Sequence, residues 1–191
     1  GWPRVVFRPE PCGLLGGGAL KASAITFDWP NKRMWIVPAP WPEAKSLAAA
    51  GKINEPDLLG MTPLMHAAAA GDANRVAALI EAGADVNLLD EIGRSALGIA
   101  ALPEQGHVEV VRVLLARGAD AGLPKGRQTP LHSAGAYGYT DIAEAILAAR
   151  PDLVNATNKF GQTPLMLAAR SGAMDTLAEL LARGADRAAT D

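Results

Sequence analysis

The stretch Thr62-Pro63-Leu64-Met65-His66-Ala67-Ala68, continuing through Gly71-Asp72 to Gly83-Ala84-Asp85-Val86-Asn87, recurs along the chain. Thr129-Pro130-Leu131-His132-Ser133-Ala134 and Thr163-Pro164-Leu165-Met166-Leu167-Ala168 repeat its opening, and Ser95-Ala96-Leu97 is a degraded copy. Gly118-Ala119-Asp120 and Gly184-Ala185-Asp186 repeat its close. The openings stand at 62, 95, 129 and 163, in steps of 33, 34 and 34. Self-similarity at a fixed period of this length means an array of small units stacked in a row, not one centre wrapped by unlike elements.

Each unit can be read residue by residue. Thr62 is a good N-cap, and Pro63 suits the first helical position, where no backbone donor is needed. Leu64, Ala67 and Ala68 then share one helical face. Gly71 ends this short helix and Asp72 can cap the next, whose apolar stripe is Val76, Leu79 and Ile80. Gly83 closes the second helix, and Asp85 to Arg94 reads as a turn-forming finger before the next copy. Helices this short are marginal alone, since isolated ones need about 12–15 residues. Stability must come from burying each apolar face against the neighbouring unit.

A Thr-Pro-Leu opening at this period resembles the ankyrin repeat family. The resemblance covers 57–191 and implies a mainly α solenoid of four helix pairs: 57–89, 90–123, 124–157 and 158–191. A linker and partial capping helix are expected over 42–56. The second copy is irregular, because Ser95 to Gly106 is two residues longer than Thr62 to Gly71. A bulged loop is expected there, at Leu102-Pro103-Glu104-Gln105. Gly60, Gly93 and Gly161 hold the finger-tip glycine position, whereas Arg127 occupies it in the third copy with Gly126 one place early. Arg150-Pro151-Asp152 replaces Gly-Ala-Asp at the end of that copy.

The front of the chain is a different material. Six of the nine aromatic residues (Trp2, Phe7, Phe27, Trp29, Trp35, Trp41) precede residue 42. The break falls near Pro38-Ala39-Pro40-Trp41-Pro42, an extended proline-rich linker. Upstream, Ala24 to Asp28 alternates with a period of two, Trp29-Pro30-Asn31-Lys32 is placed for a turn, and Arg33 to Val37 follows as a second strand. A β-rich N-terminal segment over 1–41 with a hairpin is therefore expected. Gly13-Leu14-Leu15-Gly16, Leu20, and Ile25 to Ile36 resemble the closing segment of a retropepsin-like aspartic protease domain, over 13–37. In that family a hydrophobic pair followed by glycine supports the active-site loop; here Gly17-Gly18 departs from the bulkier residues often found next. The chemistry needs two carboxylates on Asp-Thr/Ser-Gly loops, and no such triplet occurs in the chain. Under this alternative reading the catalytic aspartate lies upstream of Gly1, and the chain is the tail of a protease domain joined to the array.

Composition removes other classes. The net charge of −2 splits as +3 before residue 57 and −5 from there on, which leaves no global footprint for nucleic acid. No run of about 18 apolar residues exists, so no membrane span is expected. A single cysteine, Cys12, excludes an intrachain disulfide and is compatible with a reducing compartment. The opening lacks a basic region followed by an apolar one, so no signal peptide is visible, and the compartment is left unassigned. The run Gly13, Gly16, Gly17, Gly18 fails both phosphate-loop patterns, since no Lys-Ser/Thr follows and Lys21 stands at the third glycine of G-x-G-x-x-G. His66, His107 and His132 with one cysteine give no metal-ligand spacing, and Ser133 beside His132 has no orienting acid. Asn155-Ala156-Thr157 is a sequon, but Asn155 is expected to serve the turn before the finger. No cofactor is implied, and the chain is expected to be no enzyme.

What remains is surface. The ankyrin resemblance implies docking on the face made by finger tips and first helices. Carried over position by position, it selects Leu58, Leu59 and Met61 in the first copy and Glu91, Ile92 and Arg94 in the second. It selects Lys125, Gln128, Ala136 and Tyr137 in the third, and Lys159, Phe160, Gln162, Arg170 and Ser171 in the fourth. Phe160, Tyr137 and Arg94 rank first, because aromatic and arginine side chains dominate hot spots. For Leu58, Leu59 and Met61 a joint with the front segment is the competing role. Arg170, Arg183 and Arg187 are expected to keep the open C-terminal side soluble. The resemblance also implies that the histidine after Thr-Pro-Leu bonds between neighbouring units, which suits His132. The expected function is non-catalytic binding of another protein, by a monomer.

Overall fold

The structure is a computed structural model that describes residues 43–102, 106–124 and 127–188, with backbone alone for the segments 22–28 and 33–38. Those two segments are β1 (Ala22–Asp28) and β2 (Arg33–Pro38), paired antiparallel with Thr26 opposite Trp35. The turn expected at Trp29 to Lys32, the loop at Pro103 to Gln105, and Lys125 with Gly126 lie outside the described residues.

Nine α-helices follow among the described residues: α1 (Ala44–Ala49), α2 (Pro63–Ala69), α3 (Ala73–Glu81), α4 (Ala96–Ala100), α5 (Val108–Ala116), α6 (Pro130–Tyr137), α7 (Thr140–Ala149), α8 (Pro164–Ser171) and α9 (Met174–Ala182). A 3₁₀ turn covers Pro151–Asn155. The even-numbered helices form one row, with α2 on α4, α4 on α6 and α6 on α8. The odd-numbered helices form a second row, α1 on α3, α3 on α5, α5 on α7 and α7 on α9. The core lies between the rows: Leu64, Val76, Leu79, Leu97, Val110, Leu114, Leu131, Ile146 and Leu180 are buried there. Each such side chain contributes about 1.5–3 kcal/mol by leaving water. Buried Ala68, Ala100, Ala101, Ala134 and Ala168 on the inner row let the short helices approach closely.

The inner helices start as their sequences dictate. Thr62 Oγ1 accepts from Met65 N at 3.3 Å, and Met65 Sδ receives Thr62 N–H at 3.4 Å. Thr163 and Met166 do the same, at 3.3 Å each way. In the second copy Gly98 holds the position of Met65, so Ser95 Oγ accepts from Gly98 N at 3.1 Å and no side chain can return the bond. The degraded opening is therefore half a capping box, on a helix of five residues.

Side chains also bond from one unit to the next. Asn54 Oδ1 accepts from Asp85 N, Asn87 Oδ1 from Asp120 N, and Asn155 Oδ1 from Asp186 N, each at 2.8 Å. Asn155 thus does more than shape its own turn, because it also holds the fourth copy. Gly122 stands where the second copy would carry this asparagine. There Arg150 of the third copy makes the link, donating from Nη1 to Asp120 Oδ1 at 3.0 Å while Asp152 grips its other edge at 2.8 Å. Asp152 holds Arg150 above its usual pKa and is itself held below the carboxylate range by the same hydrogen bond. On the outer row Arg117 reaches Glu81 at 2.9 Å, and Arg183 lies 2.8 Å from Glu179 and 4.0 Å from Glu144. Arg183 therefore points back toward the third copy instead of out over the open C-terminal side.

Candidate functional site

Three of the four fingers are each built on one residue that accepts two backbone N–H groups. Asp57 Oδ1 takes Leu59 N at 2.8 Å and Met61 N at 3.0 Å. Asp90 Oδ1 takes Ile92 N at 3.2 Å and Arg94 N at 2.7 Å. Asn158 Oδ1 takes Phe160 N at 2.9 Å and Gln162 N at 3.1 Å. With the backbone fixed this way, the two residues after the acceptor project into solvent. Leu58 is 71 % exposed, Leu59 65 %, Ile92 60 % and Phe160 68 %, a row of apolar side chains along the finger tips. Lys159 Nζ sits 4.8 Å from the Phe160 ring centroid, within cation–π range.

The third finger lacks this device, because Pro124 occupies the place of Asp57, Asp90 and Asn158. Arg127 anchors it from outside, donating from Nη1 to Ile92 O of the second finger at 2.9 Å. Gly93 beneath it has a φ of +83°, the left-handed region that favours glycine, and a Cβ there would also displace the end of the Arg127 side chain, whose Nη1 would lie 2.7 Å away. Departures that leave the shape of the third finger open in sequence thus correspond to a link between two fingers.

The remaining surface residues divide by what they touch. Tyr137, at the end of α6, is 47 % exposed with its ring 6.2 Å from that of Tyr139. Glu91, Gln128, Lys159, Arg170 and Ser171 are exposed, and Ala136 is half-buried. Met61 is half-buried against the core. Arg94 is engaged inside its own finger, donating from Nε to the buried Asp90 Oδ2 at 2.7 Å, while its side chain keeps 37 % of its surface in solvent. Gln162 likewise serves the finger: its Oε1 accepts from Asn158 Nδ2 at 3.3 Å.

The two histidines that follow Thr-Pro-Leu have parted roles. His66 Nε2 lies 2.8 Å from Asp57 Oδ2 and braces the first finger. Burial pulls Asp57 upward, but Met61 N–H, His66 and Leu59 N–H outweigh it and hold the carboxyl below its usual value. His132 is fully buried; its Nδ1 accepts from Thr129 N at 3.3 Å and lies 2.8 Å from Thr129 Oγ1. With Nδ1 accepting, Nε2 carries the proton and donates across the copies to Gln162 O at 3.0 Å. Burial lowers its pKa, against the upward pull of Gln162 and Ala156 backbone groups. Sequence reasoning missed the rear contacts made by the residues that open the outer helices. His107 Nε2 lies 3.3 Å from Ala69 O, and Tyr139 Oη donates to Leu102 O at 3.4 Å.

Among the described residues no group of three or more His, Cys, Asp or Glu is placed to hold a metal ion, and no helix is long and apolar enough to cross a membrane. A cavity of about 320 Å³ opens between α5 and α7 on the outer row, lined by Arg112, Leu115, Glu144, Ala145 and Ala148. None of the finger residues borders it.

A family model for ankyrin repeats, in three copies, matches residues 43–125 and 105–191. Human ankyrin repeat domain-containing protein 63 is 36 % identical over 121 residues, 59 % of this chain and 31 % of that protein. The ANK repeat-containing protein nipk-1 of Caenorhabditis elegans is 36 % identical over 132 residues, 62 % of this chain and 21 % of that protein. The chain thus spans less than a third of the length of these relatives. The family match starts at residue 43, ahead of the expected first copy, and leaves the front segment outside it.

Proposed function

The chain belongs to the ankyrin repeat family, and on that footing we propose that it is a non-catalytic module that docks another protein on its fingers and inner helices. Ankyrin repeats in general mediate protein–protein interaction. The single observation that carries the reading is the row Leu58, Leu59, Ile92 and Phe160, apolar and exposed on tips whose backbones are pinned by Asp57, Asp90 and Asn158. Apolar side chains carried on a pinned backbone cost little loop ordering on docking, so more of the contact energy reaches the affinity. Tyr137, Glu91, Lys159 and Arg170 complete the surface, and Lys125 and Gln128 extend it over the third finger. Arg94, Met61 and Gln162 support it from beneath.

In this proposal the array comprises four helix-pair units over 57–191, preceded by a partial unit made of α1 and Asn54. Residues 1–41 form a separate β-rich piece, and the molecule works as a monomer. Phe160→Ala and Tyr137→Ala should leave the melting curve nearly unchanged, because neither side chain fills the core, and should weaken capture of a partner from native extract. Undiminished capture by both variants would assign the contact to another face.

A further inference from the structure

The surface proposed above is electrically polarised along the stack. Between Pro124 and Thr140, and again between Leu153 and Met174, the chain carries Lys125, Arg127, Lys159 and Arg170 and no Asp or Glu. These two stretches are the third and fourth fingers with their inner helices. The corresponding parts of the first two copies carry Glu55, Asp57, Asp72, Asp90, Glu91 and Glu104 against Arg94 alone. At the residue that follows each finger's anchoring position the series runs Leu58, Glu91, Lys125, Lys159. All this lies in an array whose net charge is −5, so the cationic end runs against the overall balance.

These cations also differ from others in how they are used. Arg94, Arg117, Arg150 and Arg183 each have a carboxylate within salt-bridge distance, and three of them link neighbouring units. Arg127, Lys159 and Arg170 have none among the described residues, and all three are exposed. Phe160 is apolar and exposed between Lys159 and the inner helix that carries Arg170.

We propose that the third and fourth copies recognise an acidic segment of a partner protein, an extended stretch in which carboxylates flank an apolar side chain. The apolar group lies on Phe160 and Tyr137, and the carboxylates meet Lys159, Arg170 and Arg127. Repulsion from Glu91 and Glu55 keeps the acidic end of the segment at the C-terminal half, which fixes its direction along the stack. This rests on the binding reading of the preceding section.

The test is to pan a random peptide library against the full chain and to measure the enriched peptides by fluorescence anisotropy. Acid-rich peptides are expected, with affinity falling steeply as salt is raised from about 0.01 M to about 1 M, over which the Debye length shrinks from about 30 Å to about 3 Å. The double variant K159E/R170E should bind them about tenfold less tightly, the sum of two exposed pairs turned repulsive, with melting unchanged. Enriched peptides without acidic bias, insensitive to salt and to the double variant, would overturn the proposal and leave the binding module standing. A library that yields nothing would count against both. A single-stranded RNA oligonucleotide bound more tightly than the best peptide at the same salt would overturn it in favour of a phosphate backbone. Sedimentation showing self-association that K159E/R170E abolishes would overturn it in favour of the acidic end of a second copy.

Discussion

Gly135 in α6 and Gly98 in α4 offer the same substitution with opposite expected signs. A Cβ built on Gly135 lies 2.5 Å from Pro164 O, 3.3 Å from Pro164 C and 3.5 Å from its Cα, all backbone atoms at the start of α8. No rotamer change can relieve that contact, so α8 must move away from α6. The shift would also pull on His132 Nε2 to Gln162 O and on Ser171 Oγ to Gly135 O, at 3.0 and 3.3 Å. Overpacking of this kind costs about 1–3 kcal/mol, against which Ala in place of Gly returns about 0.8–1 kcal/mol of helix propensity. With backbone on both sides of the clash the overpacking cost falls in the upper part of its range, about 2–3 kcal/mol, so Gly135→Ala should destabilise by a net of about 1–2 kcal/mol. For a chain of this size that is a drop in Tm of about 2–8 °C. At Gly98 the nearest atom is Ser95 Oγ at 3.6 Å, an ordinary contact, so Gly98→Ala should gain up to about 1 kcal/mol. Urea unfolding followed by circular dichroism reads both. A midpoint for Gly135→Ala at or above that of the parent chain would refute the claim that the third and fourth inner helices approach at a distance only glycine permits.

The buried His132 makes stability depend on pH. Its folded pKa lies below the unfolded 6.5, so protons favour the unfolded chain: this contribution is whole above about 6.5 and is lost as pH falls below it. Denaturation midpoints should therefore decline from pH 7 downward, and His132→Gln, which does not titrate, should flatten that part of the curve; an unchanged slope would show that the ring is not the source. Asp90→Ala removes the acceptor for Ile92 N, Arg94 N and Arg94 Nε and should cost about 1–3 kcal/mol, with faster hydrogen exchange at the Ile92 and Arg94 amides as the local check. A chain begun at residue 43 should keep its helical dichroism, whereas one begun at 57 loses α1, its packing on α3 and the Asn54 bond to Asp85. The shorter chain should melt lower, and equal melting points would show that α1 contributes nothing.

Much of the repeat array was legible because its signals are local. Thr-Pro-Leu places an N-cap, a helix start and a core side chain within three residues, and α2, α6 and α8 all begin with that proline. The exposed tips were legible too, since Leu58, Ile92 and Phe160 follow directly from where the finger turns. The roles of Arg94 and Gln162 were not. Position alone assigns both to the docking surface, whereas in the fold Arg94 bends onto Asp90 and Gln162 onto Asn158. The half unit before residue 57 was also underrated. Its signal, Gly51 and Asn54 standing 32 and 33 residues before Gly83 and Asn87, is weak without the hydrogen bond that gives Asn54 a purpose.

The hardest features to read were the irregular ones, for a reason that belongs to stacked architecture. In a fold with one centre, an unusual residue is compensated by whatever surrounds that centre. In a stack each unit touches only its neighbours, so the compensation sits about one period away. Gly122, where an asparagine belongs, and Arg150, where a glycine belongs, look like two unrelated departures. In space they are one substitution, a side-chain amide exchanged for an ion pair between Arg150 and Asp120. Pro124, which removes the finger's acceptor, and Arg127, which displaces the tip glycine, form another such pair, closed by the bond to Ile92 O in the preceding copy. Departures in such a chain therefore gain meaning when each is set against the copies on either side, a procedure that needs only the period and the sequence.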